Sequence, residues 1–301
     1  MKWSPPSLPI SRDRGPVMTL SDLETDQRAK SESPSAGGLF TRRLARSLWA
    51  PGVGLLIVLA GWQAVYLSGW KPAFVLPGPA AALASLWNQA GQPLLWQAIA
   101  TTLSRAVYGF GLAVLIGLAV GIVVSRNRLI RAAFGPIITG MQTMPAIAWF
   151  PFAIIFFGLN TSAIVFVIVI GTAPAIATAV IAGSDHIPPL LLRAAKTMGL
   201  KGFALYRHVI LPASLPVFVT GLKQGWAFAW RSLMSGELVV IVTNTASIGV
   251  LLENAQNMSD MPAAIAIMIV ILTLGILIDG LFTFLDNVVR RRWGLVDASE
   301  S

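Results

Sequence analysis

Residues 162–183 read SAIVFVIVIGTAPAIATAVIAG, a run without a single charged side chain. A bilayer is crossed by about 20 mainly apolar residues in helical form, and this run meets that length. Outward from it the pattern holds. No acid occurs between Glu32 and Asp185, a stretch of 152 residues. Such an interval does not form a solvated domain. Hydrophobic residues make up 55% of the 301-residue chain and charged residues 12%, about half the usual ~25% of soluble proteins. Together with a mean hydropathy of +0.72, this composition specifies an all-α polytopic membrane protein.

Five further segments meet the length rule, giving about six spans: 50–69, 105–125, 135–157, 162–183, 213–243 and 262–285. The fifth is long, which implies tilt or a protruding end. The third carries Pro136, Pro145 and Pro151. Breaks of this kind are tolerated at membrane depth where neighbouring helices or a cavity satisfy the freed backbone groups.

Basic residues orient the chain. Eight lie in the N-terminal region, ending in Arg42, Arg43 and Arg46; Arg126, Arg128 and Arg131 separate spans two and three. Arg193, Lys196, Lys201 and Arg207 separate spans four and five, and Arg290, Arg291 and Arg292 follow span six. The other side has only Lys71 and Arg105. Both termini are therefore expected in the cytoplasm, with residues 1–45, rich in Pro, Ser and mixed charge, as a disordered cytoplasmic tail. On the opposite side, Pro77-Gly78-Pro79 is expected to open a helix in segment 70–104, with Trp70, Trp87 and Trp96 at the headgroup level.

The absence of cysteine excludes disulfides, thiolate metal sites and cysteine nucleophiles, and two histidines, His186 and His208, give no basis for a metal or acid–base centre. Catalysis by this chain alone is not expected, and no metal site is assigned.

The loop 184–212 is the most informative connection. Ser184 or Asp185 is expected to cap a helix opened by Pro188-Pro189. Gly199 is placed to end it in the left-handed conformation, and a second short helix, about 202–210, is expected to stop at Leu211-Pro212. Ala194 and Ala195 are expected to form a flat ridge beside Met198, flanked by Arg193 and Lys196, on which another protein's groove can approach the backbone.

These residues carry a resemblance. Ala194-Ala195, Gly199, Val209, Leu211 and Pro212 are spaced as in the EAA loop of ABC importer permeases: Glu-Ala-Ala, three residues, Gly, nine residues, Ile, any residue, Leu-Pro. Val209 stands for Ile, and Arg193 stands for the acid, reversing its charge. Pro145-Ala146-Ile147-Ala148-Trp149-Phe150-Pro151 before Gly158, Leu76-Pro77-Gly78-Pro79, Ala229-Trp230 with Glu237, and Arg292-Trp293-Gly294-Leu295 resemble the nitrate/sulfonate/taurine/bicarbonate branch. The resemblance implies a type I ABC importer permease fold, with a transmembrane permease domain at 46–295 and a short C-terminal tail at 296–301. It implies a coupling helix seated on a separate ABC ATPase dimer, which moves the membrane helices as rigid bodies. Because the chain has no Gly-x-x-x-x-Gly-Lys-Ser/Thr sequence, ATP and Mg are expected on that partner and no cofactor on this chain. The remaining implied partners are a second permease copy, as a homodimer, and a periplasmic or lipoprotein substrate-binding protein; no nucleic acid is implied. The location is the bacterial inner membrane and the cargo a small oxoanion or organosulfonate.

Lys223, Arg231, Glu237 and Asp279 fall within the expected spans, where each charge costs at least ~2.5–3.5 kcal/mol unless paired or hydrated. Lys223 lies eleven residues past Pro212 and Asp279 eleven before Arg290, both roughly 16 Å from the same end, so a Lys223–Asp279 pair is expected. Arg231 and Glu237 are separated by about 600° of helical rotation and are not expected to pair with each other; structural pairing with other spans or a second subunit is one expectation for them, and the other places Arg231 near the pathway, attracting an anionic substrate. Gly109, Gly111, Gly117 and Gly121 are expected at a close helix contact. Gln142, Thr143 and Asn160 are candidate pathway-lining groups. The alternative, an ion-coupled secondary carrier, would need a deep carboxylate, for which Glu237 is the candidate.

Overall fold

The computed structural model describes residues 36–242 and 245–292, and among these the side chains of all but 36–51, 203, 206 and 292. The expected tail 1–45 lies outside them as far as residue 35, and the terminal segment 296–301 lies outside altogether. The chain divides into two units, Met1–Ala64 and Val65–Ser301. The first contributes most of helix α1 (Ala36–Leu67).

The second unit is built of helices α2 (Pro79–Ala90), α3 (Pro93–Arg126), α4 (Arg128–Thr143), α5 (Phe150–Phe157), α6 (Thr161–Asp185), α7 (Pro189–Thr197), α8 (Gly202–Leu205), α9 (Leu211–Val239), α10 (Ile248–Asn257) and α11 (Met261–Arg292). There is no strand among the described residues. Local sequence explains the boundaries. Proline opens α2 and α3, where its missing N–H would have no intrahelical partner anyway. Asn127 caps α4 by accepting from Leu129 N at 2.8 Å, and Asn160 caps α6 by accepting from Ser162 N at 2.8 Å. Asn160, read as pathway-lining, is thus occupied in holding the start of α6.

Helix α6 is the axis of the bundle. It packs along α3 on one side and α9 on the other, and its apolar window is 67% buried, against 28% for α3 and 17% for α11. Ile164, Ile168 and Ile176 of α6 and Leu233 of α9 are fully buried. The α3 contact is as close as it is because glycine faces it. A Cβ on Gly117 would stand 2.6 Å from Ile176 Cβ and 2.7 Å from the Ala173 carbonyl oxygen. On Gly121 it would stand 2.7 Å from Val180 Cβ, and on Gly109 2.8 Å from Ile168 Cδ1. Backbone approach of this kind substitutes for the hydrophobic drive that lipid does not supply. Gly111, grouped with these three from the sequence, faces open space.

Among the described residues three helices, α3, α6 and α11, are long and apolar enough to cross a bilayer, and α4 with the segment Ala146–Phe157 passes the same test as a bent pair, a broken span or a re-entrant loop. Helix α1 contributes the apolar stretch Gly52–Leu67 among the residues whose side chains are described, and α9, at 29 residues, carries Lys223, Arg231 and Glu237.

Several boundaries differ from expectation for identifiable reasons. The expected span 135–157 is not continuous: it turns by 104° between Thr143 and Ala146. Pro145 has no N–H to continue the helix and holds Met144 extended, at ψ 130°. Span two starts at Pro93, not at 105, so Arg105 lies inside a helix. Helix α10 was not anticipated. Nor does a short helix stop at Leu211-Pro212: a π turn, Tyr206–Ile210, runs directly into α9. Pro212 sits in the first turn of α9, the turn in which helices tolerate proline.

Candidate coupling and pathway sites

The segment between α6 and α9 forms a compact helix–turn–helix. Asp185, the last residue of α6, accepts from Arg131 Nη1 of α4 at 2.6 Å and from Nη2 as well. Ser184 Oγ donates to the Val180 carbonyl at 3.0 Å. Neither caps α7, contrary to expectation; Pro188 holds that position with no side-chain hydrogen bond. At the other end Gly199 has φ +85°, the left-handed state that glycine adopts without a Cβ penalty. It lets Gly199 N and Leu200 N reach back to the Lys196 and Ala195 carbonyls, each at 3.0 Å.

The two alanines do not share a face. Ala195 is 1% exposed, on the side of α7 turned inward, and α7 packs against the π turn. Ala194 is exposed, as are Arg193 and Lys196. The flat ridge therefore consists of Ala194 alone, between Leu190 and Met198, which are 78% and 74% exposed. Val209 and Pro212 are half-buried where the π turn meets α9, and Leu211 is exposed.

A buried polar cluster lies near the other end of α9. Glu237, fully buried, accepts from Arg105 Nη1 of α3 at 2.9 Å and from Thr102 Oγ1 at 2.8 Å. Its second oxygen also accepts from Gly249 N at 3.2 Å, in the first turn of α10, where helix-dipole charge favours a carboxylate. Thr102 Oγ1 accepts from Ile248 N at 3.0 Å, and Arg105 Nη2 donates to Thr245 Oγ1 at 3.1 Å. Charge is matched by charge, and both carboxylate oxygens have donors, as burial demands. The cluster ties α3, α9 and α10 into one unit.

The other ionisable groups of the expected spans lie elsewhere. Lys223 Nζ is 3.4 Å from Asp279 Oδ2 and donates to Thr283 Oγ1 at 2.7 Å, joining α9 to α11. Arg231 does not approach Glu237. It is exposed on the far side of α9, where Nε donates to the Ala227 carbonyl at 3.0 Å and the guanidinium lies 4.9 Å over the Phe228 ring. Arg231 borders a groove of about 820 Å³ between α9 and α11, with Trp226, Trp230 and Asp279 on its walls. Gln142 lines a separate, more polar cavity of about 730 Å³ with Thr178, His186, Gln224 and Arg290. It donates to Thr178 Oγ1 at 2.5 Å and to the Pro174 carbonyl at 3.2 Å, the carbonyl belonging to the proline inside α6. Thr143 bonds back to the Gly140 carbonyl at 2.7 Å and borders neither space. Among the described residues, no cluster of His, Asp and Glu is placed to hold a metal.

A family model described as the binding-protein-dependent transport system inner membrane component matches residues 113–291. The chain belongs to this family of ABC importer permeases. It is 33% identical to the riboflavin transport system permease protein RibX of Chloroflexus aurantiacus, over 73% of this chain and 82% of that one. It is 30% identical to the taurine transport system permease protein TauC of Escherichia coli, over 67% and 75%. With the bicarbonate transport system permease protein CmpB of Synechococcus elongatus the identity is 29%, over 80% and 89%. In fold it is similar to a chain of the MetNI methionine ABC transporter in inward-facing form, at TM-score 0.56 and 21% identity, covering 65% of this chain and 96% of that one. A chain of an amino acid ABC transporter aligns at TM-score 0.54 and 19% identity, over 69% and 97%. The fold is that of a type I ABC importer permease, and the chain is a multi-pass inner-membrane transport component.

Within this permease, Arg105 was the main residue that sequence reading misplaced. Counted as an external loop cation, it is 6% exposed and opposite Glu237. The available signal was a lone cation twelve residues into a helix opened by Pro93, at a depth matching the deepest acid of span five. Thr102, one helical turn before it, had no signal of its own.

Proposed function

We propose that this permease is one half of the membrane pathway of an ATP-driven importer, acting as a homodimer with both termini in the cytoplasm. The helix–turn–helix formed by α7, α8 and the π turn is the coupling element. A separate ABC ATPase dimer, holding ATP and Mg, seats α7, and closure of that dimer moves α9 and α6 together. A binding protein on the opposite side delivers the substrate. The observation that carries this reading is the geometry of residues 186–212: a short exposed helix, ended by left-handed Gly199, that packs against the π turn leading directly into α9, the helix of Lys223, Arg231 and Glu237. A force on α7 passes through its packing against the π turn into α9.

For the cargo, a small oxoanion or organosulfonate is supported by the relatives named for taurine and bicarbonate, and by Arg231, whose cation faces an open groove. A second reading, a larger heteroaromatic solute, is favoured by the 33%-identical riboflavin relative and by Trp226 and Trp230 on the wall of the same groove. Ligand screening of the cognate binding protein separates the two. Ion-coupled transport is disfavoured because Glu237, the carboxylate taken as its candidate, already has Arg105, Thr102 and Gly249 N as partners.

The test is a cysteine at Ala194, the exposed alanine, in a functional assembly with the cognate ATPase. Crosslinking to a groove of the ATPase is expected. Absence of any crosslink, or uptake that continues without ATP and stops when the proton gradient is dissipated, would overturn the coupling role.

A further inference from the structure

The exposed face of α7 is cationic and has no acid to balance it. Positions three, four, seven and eight residues apart share one side of a helix, and Leu190, Arg193, Ala194, Thr197 and Met198 are all exposed. Leu190 and Met198 stand as two apolar knobs with Ala194 as the low point between them, and Arg193 lines one edge. Lys196 is exposed further round on the same edge. From His186 to Pro212 the sequence contains Arg193, Lys196, Lys201 and Arg207 and neither Asp nor Glu. The acid just before this segment, Asp185, already accepts from Arg131. This face lies opposite buried Ala195, hence away from the π turn and the helix that follows it.

We propose that α7 fits a groove whose floor is apolar, receiving Leu190 and Met198, and whose wall beside Arg193 and Lys196 is acidic. The occupant rests on the coupling role proposed above: the groove belongs to the ATPase. Its charge is the inverse of one that would receive an acid at position 193. Ala194 lets the partner's backbone come close, so that Arg193 is drawn into a poorly hydrated boundary. There an opposing cation is strongly unfavourable and an opposing carboxylate is favoured. The charge thus acts as a selector, rejecting ATPases whose groove wall is basic.

The experiment uses the full-length permease assembled with its cognate ATPase in nanodiscs. Carbodiimide, which joins an amine to a touching carboxylate, is expected to link Lys196 to an Asp or Glu of the ATPase groove. Arg193→Glu is expected to weaken assembly by about tenfold or more, Arg193→Gln by less, and replacement of the crosslinked ATPase acid by Lys is expected to restore the Arg193→Glu variant. The Ala194→Cys crosslink separates the two levels of inference. If it forms while Arg193→Glu assembles normally and no carbodiimide product appears, the acidic wall is overturned and the coupling role stands. If it does not form, both fall. A defect of Arg193→Glu confined to nanodiscs of anionic lipid, and absent in zwitterionic ones, would assign these cations to the membrane surface and overturn the proposal.

Discussion

Arg105 of α3 and Glu237 of α9 meet at 2.9 Å with 6% and 0% of their side chains exposed. A pair so enclosed is held by the mutual cancellation of two charges that neither lipid nor protein would otherwise accept. Removing one member leaves the other uncompensated, a loss of about 3–5 kcal/mol in buried pairs. Glu237→Gln and Arg105→Gln are each expected to lower the melting temperature of the purified permease by many degrees. The double replacement Arg105→Met with Glu237→Leu is expected to recover most of that loss. Fluorescence-monitored unfolding in detergent measures it, and a double variant as unstable as the singles would contradict the account.

The α3–α6 contact yields a sharper steric expectation. Gly117→Val places its Cβ and two methyl groups where Ile176 and the Ala173 carbonyl already stand, and overpacking of this kind costs typically about 1–3 kcal/mol. Gly111→Val, on open space, is the matched control. Monodisperse yield after size-exclusion chromatography should fall for the first and hold for the second.

Lys223 and Asp279 are half-exposed in the single chain, at 34% and 54%, so their pairing contributes less than that of Arg105 and Glu237. Asp279→Asn leaves Lys223 with Thr283 alone. Membrane abundance is expected to fall modestly, and the exchange Lys223→Asp with Asp279→Lys should restore part of it. No recovery in the exchanged protein would show that the two charges do not act as a pair.

Arg231 makes no ion pair among those described, and its own-helix bond to Ala227 does nothing that another side chain must replace. Arg231→Ala is therefore expected to leave membrane abundance unchanged while lowering uptake of an anionic substrate severalfold. Arg231→Lys should retain part of the activity. Unaltered uptake by the alanine variant would remove Arg231 from the pathway.

Much of this arrangement is legible in the primary structure. Span α6 declares itself because nothing in it is charged, and the turn after α7 because Gly199 follows at the place where a helix of that length ends. The helix-breaking effect of Pro145 was visible; the 104° turn it accompanies was not, since proline fixes one dihedral and neighbours set the rest. The Ala194–Ala195 ridge failed for a simpler reason: adjacent residues on a helix are about 100° apart, and that rotation carries Ala195 to the buried side while Ala194 stays exposed. Arg105 was misread because counting charges by loop assigns each cation to the nearest surface. Its partner lies 132 positions away in the chain, a separation that no local pattern encodes. Helix α10 escaped notice because its start is defined by Ser247, which accepts from Val250 N, and by the Glu237 carboxylate beneath Gly249. The second of these is a tertiary condition.

The glycines of α3 have a mechanical corollary. Where Ile168, Ile176 and Val180 of α6 seat directly on the glycine backbone of α3, only one layer of side chains separates the helices and little of it is free to shear. Helices α3 and α6 are therefore expected to tilt as a single beam, with bending absorbed where the chain is already broken, at Met144-Pro145. Stiffening that joint, rather than weakening any contact along the beam, is expected to arrest transport with every part in place.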